Sequence, residues 1–182
     1  MPKKHKKETD SELGSERTAH EVLLAEAPGV EAMEKLFQRL DGILFCIKDR
    51  EGCYLSANDA FLRRARVEDP RDLIGRTAKE FFPPLLAAGY EQQDAGVTSR
   101  GEETRDRLEM ITNSDGSVGW YLSDKIPIRN RERNVIGIAG VSRDLRSSAD
   151  NDPRYAKLAS VIEYMRTHYD EPLRIGQLVA QT

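Results

Sequence analysis

Two cysteines, Cys46 and Cys53, and three histidines, His5, His20 and His168, are the side chains best suited to nucleophilic, metal or redox chemistry in this chain of 182 residues. Their spacing supports little of it. The cysteines stand alone, seven positions apart, which makes neither a disulfide framework nor a four-ligand zinc site. Nothing beside either thiol is placed to lower its pKa, so reduced thiols in a cytoplasmic protein are expected. His168 sits in the phrase RTHYDEP with no partner base or nucleophile. There is no P-loop, no Ser-His-Asp set, no His-Glu-x-x-His phrase and no metal-ligand spacing. The acids are interspersed with bases, as on a solvated surface. No catalytic residue and no metal are expected, and the chain is read as a binding module rather than an enzyme.

Bulk properties narrow the partners. The net charge of -3 supplies no global basic field for nucleic acid. Residues 1–7 form a basic run without an apolar stretch behind it, which is not a secretory signal. No window approaches the roughly 18 consecutive apolar residues a membrane span needs. With 38% hydrophobic and 32% charged residues the chain can bury one ordinary core and leave polar ends.

The elements that must position any site follow from hydrophobic period and turn residues. Residues 1–16 read as a disordered tail. Helices are expected over 16–26 and 30–40, separated by Pro28-Gly29. The second has Val30, Met33, Leu36, Phe37 and Leu40 on one face. Strands over 43–47 and 53–57 form a hairpin, with Asp49 closing the turn and Gly52 taking the positive φ. Asn58 caps a short helix over 60–65 and ties the hairpin together. A loop-rich segment of short turns spans 67–84, and a helix follows over 85–99. Strands at 104–112, 119–128 and 135–143 complete the set, with Asn113-Ser-Asp-Gly116 as a hairpin turn. This order gives an α+β fold with an antiparallel sheet. A polar linker over 147–153 leads to an amphipathic helix over 155–169, with Leu158, Val161, Ile162, Met165 and Tyr169 apolar. A further helix begins at 174–181 and has nothing to pack on, so the chain reads as cut from something longer.

Residues 41–146 resemble a PAS domain of the bacterial sensor type. DGILFCIKDREGCYLSANDAFLRRA is similar to the first two strands and the Asn-headed helix of that family. DLIGRTAKEFFPPLLAAGYEQQDAGVTSRGE resembles its helical crossing segment. GSVGWYLSDKIPIRNRERNVIGIAGVSRDL resembles its closing hairpin. Asp144-Leu145 resembles the Asp-Ile-Thr exit signature, with Arg146 where Thr is usual. The resemblance covers about 105 residues. It implies a PAS fold: a five-stranded antiparallel sheet, a helical crossing segment, N-terminal helices over 17–40 and a C-terminal helical fragment. Residues 154–182, with KLASVIEYMRTHYDEPLRIGQLVAQT, are similar to the opening of an AraC-type helix-turn-helix DNA-binding domain, whose recognition helix would lie beyond Thr182.

PAS domains enclose a pocket between one sheet face and the crossing segment. Strand alternation then nominates Phe45 and Ile47, Leu55 and Ala57, Leu108 and Met110, and Trp120 and Leu122 as pairs sharing a face. Phe61, Ile74, Phe81, Phe82 and Tyr90 come from the helical side. These side chains line a cavity for a small organic ligand or simply fill the core. Tyr90, Tyr54, Arg107 and Ser123 are the polar candidates. All three histidines lie outside the PAS stretch, so an axial His for haem is missing. No Cys stands in an Asn-Cys-Arg-Phe-type phrase, so a Cys-adduct flavin is not expected either. Together the resemblances imply the sensory module of a PAS-containing AraC-family transcription regulator. It would form a homodimer and signal through an exit at Arg143, Asp144 and Leu145. DNA would be bound by a complete helix-turn-helix rather than by this chain alone. A ligand-free dimerisation module, or the input domain of a signalling kinase or cyclase, are the alternatives.

Overall fold

A computed structural model describes residues 17–113, 115–146 and 152–181. The tail expected over 1–16, most of the linker over 147–153 and Ser114 of the hairpin turn lie outside the described residues. The described chain opens with α1 (Ala19–Glu26) and α2 (Gly29–Phe37). The first hairpin is β1 (Ile43–Asp49) and β2 (Tyr54–Ala57). The crossing segment holds α3 (Asp59–Ala65), two single 3-10 turns (Pro70–Asp72 and Ala78–Glu80) and α4 (Pro84–Arg100). The strands β3 (Thr104–Thr112), β4 (Val118–Arg129) and β5 (Val135–Asp144) follow, then α5 (Pro153–Thr167) and α6 (Ile175–Val179).

The five strands form one antiparallel sheet in the order β2-β1-β5-β4-β3. The first and last strands of the domain therefore meet at its centre, running in register from Ile43 opposite Arg143 to Asp49 opposite Gly137. The β1–β2 turn is built as its residues require. The Asp49 carboxylate accepts from the Glu51 and Cys53 amides at 3.0 and 2.8 Å, and Gly52 takes a φ of 87° that a side chain would resist.

Each sheet face carries its own core. On the outer face Phe45, Ile47, Leu55, Ile128 and Ala139 pack under Leu23 of α1 and Val30 of α2. The Phe37 ring stacks on Phe45 at 4.7 Å. Full burial of each large side chain here contributes about 1.5–3 kcal/mol. α1 begins with a capping box, in which the Thr18 hydroxyl accepts from the Glu21 amide and the Glu21 carboxylate accepts from the Thr18 amide. On the other face Tyr54, Leu62, Ala65, Leu73, Ala78, Phe82 and Ala87 join the sheet to the crossing segment. Leu44, Ala60, Ile111 and Tyr121 pack nearby.

Asn58 knits these parts together. It is 1% exposed, and its side-chain oxygen accepts from the Phe45 and Phe61 amides at 3.1 and 3.0 Å. Its amide nitrogen donates to the carbonyls of Ile43 and Phe37 at 2.8 and 3.1 Å. One residue thus caps α3, pins the start of β1 and holds the end of α2. At the far end α5 has no fully buried residue. Leu158, Val161 and Ile162 are half-buried, Met165 is exposed, and Tyr169 falls past the helix end and is exposed. Among the described residues no helix is long and apolar enough to cross a membrane.

Candidate ligand-binding cavity

A cavity of about 60 Å³ lies between the inner face of the sheet and the crossing segment. β1 turns Leu44, Cys46 and Lys48 toward it, β3 turns Glu109 and Ile111, and β4 turns Lys125. Ile138, Gly140 and Ser142 of β5 form its floor, and Phe61, Phe82, Tyr90 and Asp94 come from the helical side. Gly140 leaves the floor open: a Cβ built there would meet Cys46 Sγ, Lys125 Cγ and the Asp124 carbonyl only at 3.8–4.0 Å.

Of the aromatic side chains nominated from sequence, Phe61, Phe82 and Tyr90 line this cavity, and Tyr54 joins them. Their rings meet in tilted or edge contacts: Tyr54–Phe61 at 5.3 Å, Phe61–Phe82 at 6.2 Å and Phe82–Tyr90 at 5.6 Å. Phe81 packs edge-on against Tyr54 at 6.0 Å and faces a groove outside the cavity. Ala57 sits on the cavity side opposite Cys46 but does not line the cavity.

The strand nominations fall largely on the wrong face. Phe45 and Ile47 belong to the outer core under α1 and α2. Alternation from the inward Glu109 and Ile111 sends Leu108 and Met110 outward, and Met110 is 41% exposed. The inward Tyr121 likewise sends Trp120 and Leu122 outward. The error has a physical origin: β1 is apolar on both faces because helices cover both, so apolar residues alone do not say which face holds the cavity. Leu55 and Ala57 do not share a face, because the β1–β2 register shifts by a β-bulge as Lys48 pairs with Tyr54 and Ile47 with Ser56. Ile74 is exposed because its neighbour Leu73 takes the inward place.

Sequence reasoning missed the polar half of the site. Asp94 is 4% exposed and accepts from Lys48 Nζ and Lys125 Nζ, each at 2.6 Å. Burial pushes its carboxyl up, but the two ammonium groups and their hydrogen bonds outweigh this and hold it below the ordinary Asp value. Lys48 also stands 4.5 Å from the centre of the Tyr54 ring. A signal for Asp94 existed. Ala87, Tyr90, Asp94 and Val97 recur at spacings of three and four, which puts the carboxylate on the buried face of α4.

Glu109 is 7% exposed, and its Oε1 has no hydrogen-bond partner among the described residues. Tyr90 donates its hydroxyl to the Met110 carbonyl at 2.6 Å, and burial with the nearby Glu109 charge pushes its pKa up. Burial raises the Cys46 thiol to about 11, which keeps it a thiol at neutral pH. Ser123, fully buried, shares a hydrogen bond of 2.8 Å with Ser142. Arg64 donates to Asn113 and to the Tyr121 hydroxyl, and with Phe82 it separates the cavity from the outer groove. Arg107 is exposed.

The exit residues lie at the sheet end next to α5. Arg143 pairs with Asp124 at 3.0 Å and with Asp106, and its guanidinium lies 5.9 Å from the Tyr155 ring of α5. Asp144 accepts from the Arg146 amide at 2.8 Å, and Leu145 is 2% exposed. No group of three or more His, Cys, Asp or Glu among the described residues can hold a metal ion.

A five-stranded sheet in this order, with its crossing segment over one face, is matched by a family model described as PAS fold over residues 37–150. The chain belongs to the PAS-fold family. Solved structures agree. VqmA of Vibrio cholerae, described as a dimer studied in the absence of its target DNA and grouped with LuxR-type receptors, is 28% identical with a TM-score of 0.56. The match covers 66% of this chain and 52% of that one. VqmA bound to DPO is 27% identical with a TM-score of 0.54, covering 63% and 56% of the two chains. The PAS domain of BvgS from Bordetella pertussis shares the fold at 23% identity and a TM-score of 0.55, covering 64% and 86%. The methanogenesis regulatory histidine kinase FilI of Methanothrix harundinacea is 29% identical over 99 residues, 54% of this chain and 11% of that protein. The PAS domain here thus corresponds to about half of VqmA's length and about a tenth of FilI's.

Proposed function

We propose that this PAS domain is the sensory module of a DNA-binding transcription regulator, and that it reads a small organic ligand held in the cavity. The observation that carries the proposal is the cavity itself: a space between sheet and crossing segment with aromatic walls and a few buried, converging polar groups. The likeness to VqmA, a protein that has target DNA and has been solved with DPO bound, supports both halves of the reading. The module binds and does not catalyse. It uses neither haem nor a Cys-adduct flavin, and it works as a homodimer in the cytoplasm. The AraC-type likeness of residues 154–182 makes α5 and α6 the start of the output domain. Signal leaves through Arg143, which touches both the sheet and α5. A ligand acts by binding two arrangements of the sheet and α5 with different affinity.

A second reading, input to a signalling kinase, is favoured by the likeness to FilI. A mobility-shift assay on a chain extended through a complete helix-turn-helix separates the two: operator binding supports the regulator, and its absence supports the kinase. For sensing, protein purified without denaturation is extracted with organic solvent and the extract weighed by mass spectrometry. Release of one small molecule, whose return raises the melting temperature, is expected. No released molecule and no ligand-dependent shift contradicts sensing. Sedimentation is expected to show a dimer dissociating on dilution, and a monomer at every concentration contradicts the homodimer.

A further inference from the structure

We infer that Glu109 is the residue that selects the ligand, and that the ligand is a neutral molecule no larger than a single ring, presenting an O–H or N–H donor to it. This rests on the reading of the cavity as a ligand site. Glu109 lines the cavity, is 7% exposed and leaves Oε1 without a hydrogen-bond partner among the described residues. A buried acceptor left unmade costs about 1–3 kcal/mol, and more when charged, so a guest that supplies a donor recovers that cost. The neighbouring polar groups are otherwise engaged. Asp94 takes Lys48 and Lys125, Tyr90 is turned to the Met110 carbonyl, and Ser142 shares its hydrogen bond with Ser123.

Charge limits the guest as well. The three cations lining the cavity are already engaged, Lys48 and Lys125 by Asp94 and Arg64 by Asn113 and the Tyr121 hydroxyl, so an anionic guest buries a charge with no free partner, a cationic guest adds to three cations facing two carboxylates, and a neutral guest does neither. Size sets the third limit. About 60 Å³ is less than half of the ~150 Å³ of an apolar cavity that holds benzene, so the guest is no larger than one ring. The rings of Phe61, Phe82 and Tyr90 offer edges and faces to such a guest.

The test uses the full chain, dialysed free of co-purified small molecules, with phenol, anisole and benzoate as probes in calorimetric titrations. Phenol is expected to bind about tenfold or more tighter than anisole, which carries a methyl group in place of the proton. Glu109→Leu is expected to erase that preference. Should this variant fail to fold, the phenol-to-anisole ratio on the unaltered chain decides alone. Anisole binding as tightly as phenol, or benzoate binding most tightly, overturns the inference, the latter because the lysines would then select an anion. No binding by any probe also overturns it. If a natural molecule is nonetheless released on solvent extraction, the sensory reading stands and only the ligand class falls. If neither probe nor natural molecule binds, both fall.

Discussion

Asp94 holds two ammonium groups at 2.6 Å in a space almost closed to water. Removing the carboxylate strands two buried cations, and breaking such a pair costs about 3–5 kcal/mol. Asp94→Asn is therefore expected to destabilise the protein by roughly that amount at pH 7, measured by urea unfolding. The carboxyl is held below its ordinary value in the folded protein. Its stabilising contribution is thus fully present above the unfolded value near 3.9 and is lost as the pH falls through the lower folded value. The gap between wild type and Asp94→Asn should accordingly close on acidification below about pH 4. Lys48, Lys125 and Asp94 read as solvated charges in sequence, because a one-dimensional pattern does not reveal a carboxylate that meets its cations 46 and 31 positions away. Asn58 was legible, since its type and place before a short helix announce a cap. Its tie to the hairpin, at Phe45 and Ile43, was legible too, whereas its bond to Phe37 was not, since that depends on the tertiary path of α2.

The secondary elements were legible almost throughout. β3 spans Thr104–Thr112 as the alternation and turn residues require, and the helix read at 85–99 is Pro84–Arg100. What the period could not reveal was which face of the sheet encloses the cavity. α1 and α2 cover one face and the crossing segment covers the other, so both sides of β1 are apolar. The bulge at Leu55 then reverses the alternation of β2. At the other end of the sheet, Arg143 joins β5, Asp124 of β4 and Tyr155 of α5. Half-exposed ion pairs of this kind add about 1 kcal/mol or less, so Arg143→Ala should barely change global stability. It should instead loosen α5: hydrogen exchange across residues 153–167 is expected to quicken while the sheet amides stay protected. Unchanged exchange in α5 would remove Arg143 from the signal path.

At the scale of the whole molecule, the PAS fold brings the first and last strands of the domain side by side, with the cavity on one face and helices on the other. On the proposed reading, a ligand that tightened the inner face would act on β5, the strand that leads to α5. The fold class was readable from element order and phrase resemblance, but the cavity's content was not, because it depends on a few ångströms of space left by Gly140. That space gives the most direct test of ligand sensing. The first carbon of a leucine at position 140 meets its nearest neighbours only at 3.8–4.0 Å, and the other carbons of Gly140→Leu are expected to occupy the cavity. Native mass spectrometry of both proteins, purified side by side, is the decisive measurement. The wild type should carry a small-molecule adduct, and the folded Gly140→Leu protein should carry none. An adduct that persists in the filled variant, or a wild type that carries nothing, would contradict the cavity as the sensory site.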